Sequence, residues 1–326
     1  MSGKYILSVL SLLCTAVCFT GCGNNIHNNS FTTSGEDNIN VVCTVFPEYD
    51  WTKNITGDNN NINVTYLLDR GGDIHTFQPS AEDIVKISSC DLLVCTGGES
   101  EYWIDDVLRN SVNKNMKIIN LVDILGNSAK QEEIKEGMQT DEDCGEDVEY
   151  DEHTWLSLKN AQLFCTEIAE TLSDIDPENS EEYKNNLMEY NQKLAGLDAE
   201  FQSLFESSDM KTLVFADRFP FRYFTEDYGL DYYAAFSGCS ADNNASFETV
   251  TFLSGKIDEL GCNAVFELEN SDSSISSAVV DNCNNKNCKI IKLNSIQSVT
   301  KNDLENGVDY LSAMNENYTL LKEYLS

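Results

Sequence analysis

The sequence predicts an α/β fold: two lobes, each built on a four-stranded parallel sheet, joined by one long rigid helix. Strand-like apolar runs alternate with helical patterns in both halves of the chain, which is typical of parallel βαβ construction. Between the halves, one unbroken helical pattern covers residues 176–208. These observations predict an N-terminal lobe over 41–175 and a C-terminal lobe over 209–326.

Each half contains four strand-like runs and the helical patterns between them. In the first half the predicted strands are 41–46, 64–68, 92–95 and 117–121, with helices over 50–55, 81–88 and 102–110. In the second half the strands are 212–216, 232–236, 264–268 and 289–293, with helices over 221–228, 246–260, 275–282 and 304–324.

The interlobe helix is predicted from its start signal and its apolar stripe. Asp176 is the expected N-cap and Pro177 the first helical residue. Apolar residues then recur at steps of three and four, which keeps them on one face. Roughly 30 residues at about 1.5 Å each give a rod of about 45 Å. The stripe consists of Tyr183, Leu187, Tyr190, Leu194, Leu197, Phe201 and Leu204.

The amino terminus has the pattern of an export signal, predicted over residues 1–21. Lys4 precedes an apolar run that is short for a permanent membrane span, and small residues lead to Cys22. This resembles a lipobox, which implies cleavage before Cys22 and lipid on its sulfur; the alternative is an ordinary cleaved signal. Residues 22–40 are rich in Asn, Ser, Thr and Gly and are predicted to be a flexible tether, with His27 solvated.

The net charge of −34 excludes nucleic acid and anionic surfaces as partners, since both require basic patches. A cation is the natural complement of such a chain. Nine cysteines follow Cys22 and form no paired C-x-x-C signature. Cys283 and Cys288 flank an Asn-rich loop that a disulfide could close, whereas others lie in apolar runs as small core residues.

Two histidine segments carry the most specific signal. The first runs Ile74-His75-Thr76-Phe77-Gln78-Pro79-Ser80 and reaches Asp83; Ser80 is the expected N-cap of the following helix. The second reads Asp151-Glu152-His153-Thr154-Trp155-Leu156 and reaches Asn160. A lone loop histidine is more often solvent-exposed and inert, so the pair matters more than either member.

In these two segments the chain resembles the metal-binding solute receptors of bacterial ABC importers, the zinc and manganese cluster, many of which are lipoproteins. The resemblance extends from about residue 41 to 325. It implies a non-enzymatic receptor, anchored outside the cytoplasm by its lipid, that passes Zn²⁺, or alternatively Mn²⁺, to an ABC permease and its ATPase. We expect a monomer.

The ligand set is expected in the cleft between the lobes. Open parallel sheets present ligand groups beyond the carboxyl ends of their strands. Asp217, Glu269 and Asn294 each follow a predicted strand of the second lobe, and His75 and His153 lie in loops of the first. Imidazoles with carboxylates suit zinc or manganese, whereas calcium and magnesium prefer oxygen throughout. The predicted ligands are His75, His153, Asp217 and Glu269.

The chain departs from the family at the third ligand. Zinc members carry a histidine in an H-D-x-F-x-Y-F segment, where this chain places Arg218, which cannot bind a cation. Either Asp217 replaces it by a shift of one residue, or Arg218 pairs with a carboxylate and the site is incomplete. Glu269 has the alternative role of an ion-pair partner for Arg218 or Arg222. Asn294 stands where manganese members have an aspartate and is expected behind the ligands.

Residues 127–152 form a dense acidic run that is predicted to be disordered. It would either concentrate cations beside the cleft or serve as a solvated insertion. Enzyme alternatives lack support, because the chain has neither an H-E-x-x-H helix nor a G-x-S-x-G elbow. A surface adhesin with a degenerate metal site stays open as a second function.

Overall fold

The computed structural model of the chain describes residues 38–139, 149–240 and 244–325. The predicted signal peptide, Cys22 and His27 lie outside the described residues. Within them the predicted fold class is confirmed: the chain forms two four-stranded parallel sheets, and a long helix lies between them in the sequence.

The first sheet has the strand order β2-β1-β3-β4, and every pairing is parallel. Its inner strands are mainly apolar, as expected where helices cover both faces of a parallel sheet. All four residues of β3 are buried. The strands are β1 (Ile39–Cys43), β2 (Ile62–Tyr66), β3 (Leu92–Cys95) and β4 (Lys117–Asn120).

The second sheet repeats this arrangement in the order β6-β5-β7-β8. The strands are β5 (Thr212–Phe219), β6 (Asp231–Ser237), β7 (Ala264–Leu268) and β8 (Lys289–Leu293). β5 continues three residues further than predicted, to Phe219, and its register with β6 shifts between Phe215 and Arg218. Asp217 therefore lies inside an irregular strand and not at its end.

The helices of the described residues surround the two sheets. Ser80 caps the second of them as predicted, because its hydroxyl accepts from the Asp83 amide while the Asp83 carboxylate accepts from the Ser80 amide. The helices are α1 (Phe46–Thr56), α2 (Ala81–Ser89), α3 (Trp103–Arg109), α4 (Leu121–Leu125), α5 (Leu158–Ile175), α6 (Ser180–Ser207), α7 (Arg222–Asp227), α8 (Phe247–Leu260), α9 (Ser274–Asn282), α10 (Lys301–Glu305) and α11 (Tyr310–Leu325).

The interlobe helix α6 has 28 residues, about 42 Å at 1.5 Å per residue. Its start differs from the prediction: a 3-10 turn at Pro177–Asn179 precedes it. The Asp176 carboxylate makes no cap, because it accepts hydrogen bonds from Asn179 and from the Tyr183 hydroxyl at 2.8 and 2.6 Å.

Helix α6 supports both lobes through different parts of its stripe. Toward its amino end, the Tyr190 hydroxyl donates to Asp50 of α1 at 2.9 Å. Toward its carboxyl end, the fully buried Phe201 ring packs against Phe224 and Tyr228 of the second lobe, with centroids 5.1 and 5.5 Å away. The predicted stripe is therefore the common support of the two lobes.

Part of the acidic run is ordered, contrary to the prediction. Residues 130–139, which we call the strap, cross from the first lobe onto the second. The Lys130 amide donates to the Tyr223 hydroxyl and the Gln139 amide to the Ala235 carbonyl, both at 2.9 Å. Glu133 pairs with Arg222. The local charge pattern could not predict this order, since the neutralising partners belong to the other lobe; residues 140–148 lie outside the description.

Candidate metal site

The first predicted ligand, His75, lies in a 3-10 turn, Ile74–Thr76, between β2 and α2. Asp73 fixes this turn by accepting from the His75 amide at 3.0 Å. On the ring, Nδ1 lies 2.7 Å from the Ser100 hydroxyl and 3.6 Å from the Glu152 carboxylate. These contacts occupy Nδ1 and turn Nε2 toward the interior of the site.

The second predicted ligand, His153, is fully buried immediately before the 3-10 turn Thr154–Leu156. Asp151 accepts from its backbone amide at 2.8 Å and lies 3.0 Å from its Nδ1. A carboxylate at Nδ1 favours the tautomer that leaves the Nε2 lone pair free, which is the usual support of a metal-binding histidine. The Trp155 ring, 5.3 Å away, packs against the imidazole edge.

The structure brings the two imidazoles together. Their Nε2 atoms are 3.3 Å apart. Two nitrogens bound to one tetrahedral zinc at about 2.0–2.1 Å would be separated by about 3.3 Å. The pair therefore already has the spacing that one ion requires.

Both rings are neutral at physiological pH. Burial, with the neighbouring imidazole second, lowers the pKa of His75 to about 3, and burial lowers that of His153 to about 4. A neutral imidazole offers its lone pair to a metal without first losing a proton.

Buried carboxyl groups stand behind the imidazoles. Burial raises the pKa of Asp151 and of Glu152 to about 7. Among the described residues, Asp151 Oδ2 and Glu152 Oε2 are buried without a hydrogen-bond partner. Buried carboxylates of this kind are costly unless a positive charge is nearby, so they fit a cation held by the two rings.

The imidazoles adjoin a cleft of about 580 Å³ whose walls come from both lobes, with Asp73 and His75 on one side and Asp217, Arg218 and Cys239 on the other. Arg218 makes an ion pair with Asp73 across it, at 2.6 Å. Burial alone would raise the pKa of Asp73, but the Arg218 guanidinium and the contacts with His75 together lower it below its usual value. Pairing of Arg218 with a carboxylate was one of the two alternatives open from the sequence.

The predicted carboxylates of the second lobe make other contacts. Asp217 lines the cleft, but its oxygens accept from the Arg218 amide at 2.8 Å and the Leu268 amide at 3.1 Å. Glu269 accepts from the amide and hydroxyl of Ser295, at 2.9 and 2.8 Å. The alternative role of Glu269, an ion pair with Arg218 or Arg222, is absent from the described residues, where these arginines bind Asp73 and Glu133.

Asn294, expected behind the ligands, has a structural role instead. Its side-chain oxygen accepts from the Ile296 amide at 2.7 Å, and its backbone is held on both sides by Asn317 of α11. It therefore fixes the turn that follows β8.

Sequence reasoning missed Cys239. Its sulfur and one imidazole nitrogen from each of His75 and His153 all lie within 4.8 Å of one another. The cysteine follows β6 by two residues, so the strand-end rule that selected Asp217 and Glu269 applies to it equally. Its backbone amide donates to Glu132 of the strap at 3.0 Å. Burial raises the pKa of the Cys239 thiol.

The remaining cysteines of the described residues are also free thiols, Cys283 and Cys288 included. In the same part of the chain, no helix is both long and apolar enough to cross a membrane.

Comparison with known proteins identifies the fold and the family. Residues 41–324 match the family model described as ZnuA, zinc-uptake complex component A, periplasmic. The zinc-binding lipoprotein AdcA of Streptococcus pneumoniae serotype 4 is 28% identical over 321 residues, which cover 98% of this chain and 61% of that protein. The high-affinity zinc uptake system protein ZnuA of Bacillus subtilis is 26% identical over 330 residues, 99% of this chain and 97% of that one.

A solved structure of a relative has the same fold. The crystal structure of the Zn(II)-bound ZnuA-like domain of Streptococcus pneumoniae AdcA superposes with a TM-score of 0.69 at 26% identity, covering 88% of this chain and 99% of that one. The chain spans 56% to 61% of the length of the curated streptococcal relatives it matches. The resemblance carried by the two histidine segments is confirmed: this protein belongs to the ZnuA family of zinc-uptake solute-binding proteins, which are transport proteins and not enzymes.

Proposed function

We propose that this protein captures Zn²⁺ outside the cytoplasm, in the cleft between its lobes, and delivers it to an ABC permease powered by its ATPase. The observation that carries the proposal is the pair of neutral imidazoles whose Nε2 atoms are 3.3 Å apart, each with Nδ1 already engaged. Such a pair binds one divalent ion and needs no catalytic group.

Zinc is favoured over manganese by the donor chemistry. Two imidazole nitrogens form a borderline donor set that suits zinc, whereas manganese prefers carboxylate, carbonyl and water oxygens. Membership in a zinc-uptake family supports the same choice. A manganese receptor is the alternative, and it would depend more strongly on the acid oxygens.

Asp217 and Glu269 are the carboxylates that this proposal would recruit from the second lobe. Either would first have to exchange its present hydrogen bonds, to two backbone amides for Asp217 and to Ser295 for Glu269. Changing each to alanine separately tests whether it binds the ion.

The proposal also covers where the protein is held and in what oligomeric state it acts. We propose that lipid on Cys22 anchors the protein to the outer face of the cell membrane. Both walls of the cleft come from one chain, so the site is complete in a monomer. Loss of lipid labelling in Cys22→Ser, with zinc binding unchanged, would support the anchor; labelling that persists would contradict it.

The binding experiment measures zinc affinity of the purified protein by calorimetry in competition with a chelator. We expect one tight site that His75→Ala and His153→Ala each weaken severely. His27→Ala is the matched control, because it removes the remaining histidine of the chain. Wild-type affinity in both site variants, or tighter binding of Mn²⁺ than of Zn²⁺, would contradict the proposal.

Delivery requires a cellular test. Cells that carry only the double variant His75→Ala, His153→Ala should accumulate less zinc than wild type when zinc is scarce, and equal zinc when it is plentiful. The His27→Ala strain again serves as the control. Normal accumulation by the double variant at low zinc would refute a role in import.

A further inference from the structure

The loop that follows β6 places Cys239 beside the imidazole pair. A β-carbon on the preceding residue, Gly238, would lie 2.9 Å from the Phe219 carbonyl and 3.2 Å from His153 Cε1. A side chain here would clash with the Phe219 carbonyl and crowd the His153 ring, so glycine suits this close approach of the backbone. The loop thereby places a sulfur from the second lobe beside two nitrogens from the first.

The separations suit a single ion. A nitrogen at about 2.0–2.1 Å and a sulfur at about 2.3 Å from one tetrahedral zinc would be about 3.6 Å apart. The three donor atoms, all within 4.8 Å of one another, need to move by about an ångström at most to reach this geometry. Asp217 and Glu269 must first release the Leu268 amide and the Ser295 hydroxyl, whereas the Cys239 thiol releases a hydrogen bond to the Glu132 carboxylate when it loses its proton.

Glu132 of the strap holds this arrangement in place. Its carboxylate accepts from the Cys239 amide, and the same oxygen would lie 3.2 Å from a β-carbon on Gly238. The Glu132 amide in turn donates to the Glu149 carbonyl at 2.9 Å. Glu132 is therefore a positioning residue for the cysteine loop.

We infer that Cys239 is the ligand by which the second lobe binds the ion, so that zinc is held by two imidazole nitrogens and one thiolate sulfur. This inference rests on the proposed function and departs from a purely histidine and carboxylate site. As the Zn–S bond forms, the S–H bond breaks, the proton passes to solvent and the ion loses a bound water. The fourth position stays open to water or a carboxylate.

A thiolate ligand changes what the receptor can bind. Soft sulfur strengthens binding of zinc and of softer ions relative to manganese. It also makes capture dependent on the redox state, because a thiol that is oxidised or alkylated no longer provides a thiolate. Cys239 is only partly buried and lines the cleft, so reagents can reach it.

The test uses the full-length protein loaded with Co²⁺, which shows an intense near-ultraviolet charge-transfer absorption only when a thiolate is bound. We expect this band in the wild type and its loss in Cys239→Ser, together with zinc binding weakened by about 100-fold or more, at least as much as loss of an outer-shell partner costs. Cys288→Ser, which changes a different cysteine of the second lobe, is the control and should retain both.

A second measurement does not depend on any variant. Zinc should protect Cys239 from alkylation in the wild type, as read by peptide mass mapping, and a chelator should restore its reactivity.

The positioning role of Glu132 is tested with two variants. Glu132→Ala should weaken zinc binding, whereas Glu132→Gln, which keeps an acceptor for the Cys239 amide, should retain most of the wild-type affinity.

The outcomes separate the two proposals. Tight zinc binding that requires both histidines, with no charge-transfer band and no effect of Cys239→Ser, would overturn the thiolate ligand and leave the receptor function standing. Absence of zinc binding by the wild type would overturn both. A band lost only in Cys239→Ser, with zinc protection of the thiol, would establish the inference.

Discussion

Replacing Asp151 with alanine should separate zinc affinity from folding. Asp151 accepts from the His153 amide, and its carboxylate lies 3.0 Å from Nδ1. It therefore orients the His153 ring from the side opposite Nε2, the atom that would bind the ion. Without this carboxylate, His153 can adopt the tautomer with the proton on Nε2, which blocks the metal.

The size of the effect follows from the burial of the pair. Loss of an outer-shell partner costs about 10- to 100-fold in affinity, which corresponds to about 1.4 to 2.7 kcal/mol. Because His153 and Asp151 are 0% and 1% exposed, solvent cannot replace the lost hydrogen bond, and we expect the upper part of this range. Asp151→Asn retains an acceptor oxygen and should lose less.

The assay is chelator-competition calorimetry at pH 7.5, with thermal unfolding of the zinc-free proteins measured in parallel. Asp176→Asn is a control, since its carboxylate bonds Tyr183 and Asn179 and no site residue. Asp151→Ala that binds zinc like the wild type while remaining folded would refute the view that Asp151 sets the tautomer of His153.

Three further predictions concern the stability of the lobes and the charge beside the site. Burial raises the pKa of Asp50 from 3.8 to about 7. Its contribution to stability, at most about 4 kcal/mol, is therefore complete below about pH 4 and is lost as the pH rises to 7. When denaturant titrations at pH 5 and pH 8 are compared, Asp50→Asn should lose less stability than the wild type, and an equal loss would contradict this cause. Phe201→Ala should cost about 3–5 kcal/mol in chemical unfolding, because the ring is fully buried between the lobes; a loss below about 1 kcal/mol would mean that α6 does not support the second lobe. Arg218→Gln should tighten zinc binding up to about tenfold. The positive charge of Arg218 lowers the pKa of both imidazoles and is only partly neutralised by Asp73. Weaker binding would show that the Arg218–Asp73 pair matters more for lobe closure than for charge.

The fold was predictable because its signals are local and repeated. Alternating strand and helix patterns in each half indicate two parallel sheets, and the stripe from Tyr183 to Leu204 indicates α6. The start of α6 was not predictable at residue resolution, because Asp176 bonds a tyrosine hydroxyl seven positions along the chain in preference to the helix end.

The juxtaposition of the two histidines was predictable from the sequence, and their role as ligands, like that of Asp217 and Glu269, stays a prediction. His75 and His153 stand in specific segments whose turns and partners are encoded nearby, such as Asp73 and Asp151. The second half depends on tertiary detail: the irregularity in β5 turns Asp217 onto the Leu268 amide, and this depends on how β5 lies beside β6 and β7.

Cys239 and Glu132 were missed for different reasons. Cys239 obeys the strand-end rule, and only the expectation of carboxylates from the second lobe hid it. Glu132 belongs to a run whose composition predicts disorder, and its order depends on partners more than 80 positions away, such as Cys239 and the arginine that binds Glu133. No local pattern could reveal those pairings.

The two imidazoles do not have the same access to solvent. His75 retains a side-chain exposure of 9% and borders the cleft, whereas His153 has none. In the proposed function, we therefore expect an ion that enters through the cleft to meet His75 before His153 and to leave in the reverse order. We expect His75 mainly to set the rate of ion capture and His153, the buried imidazole, mainly to set the rate of ion release.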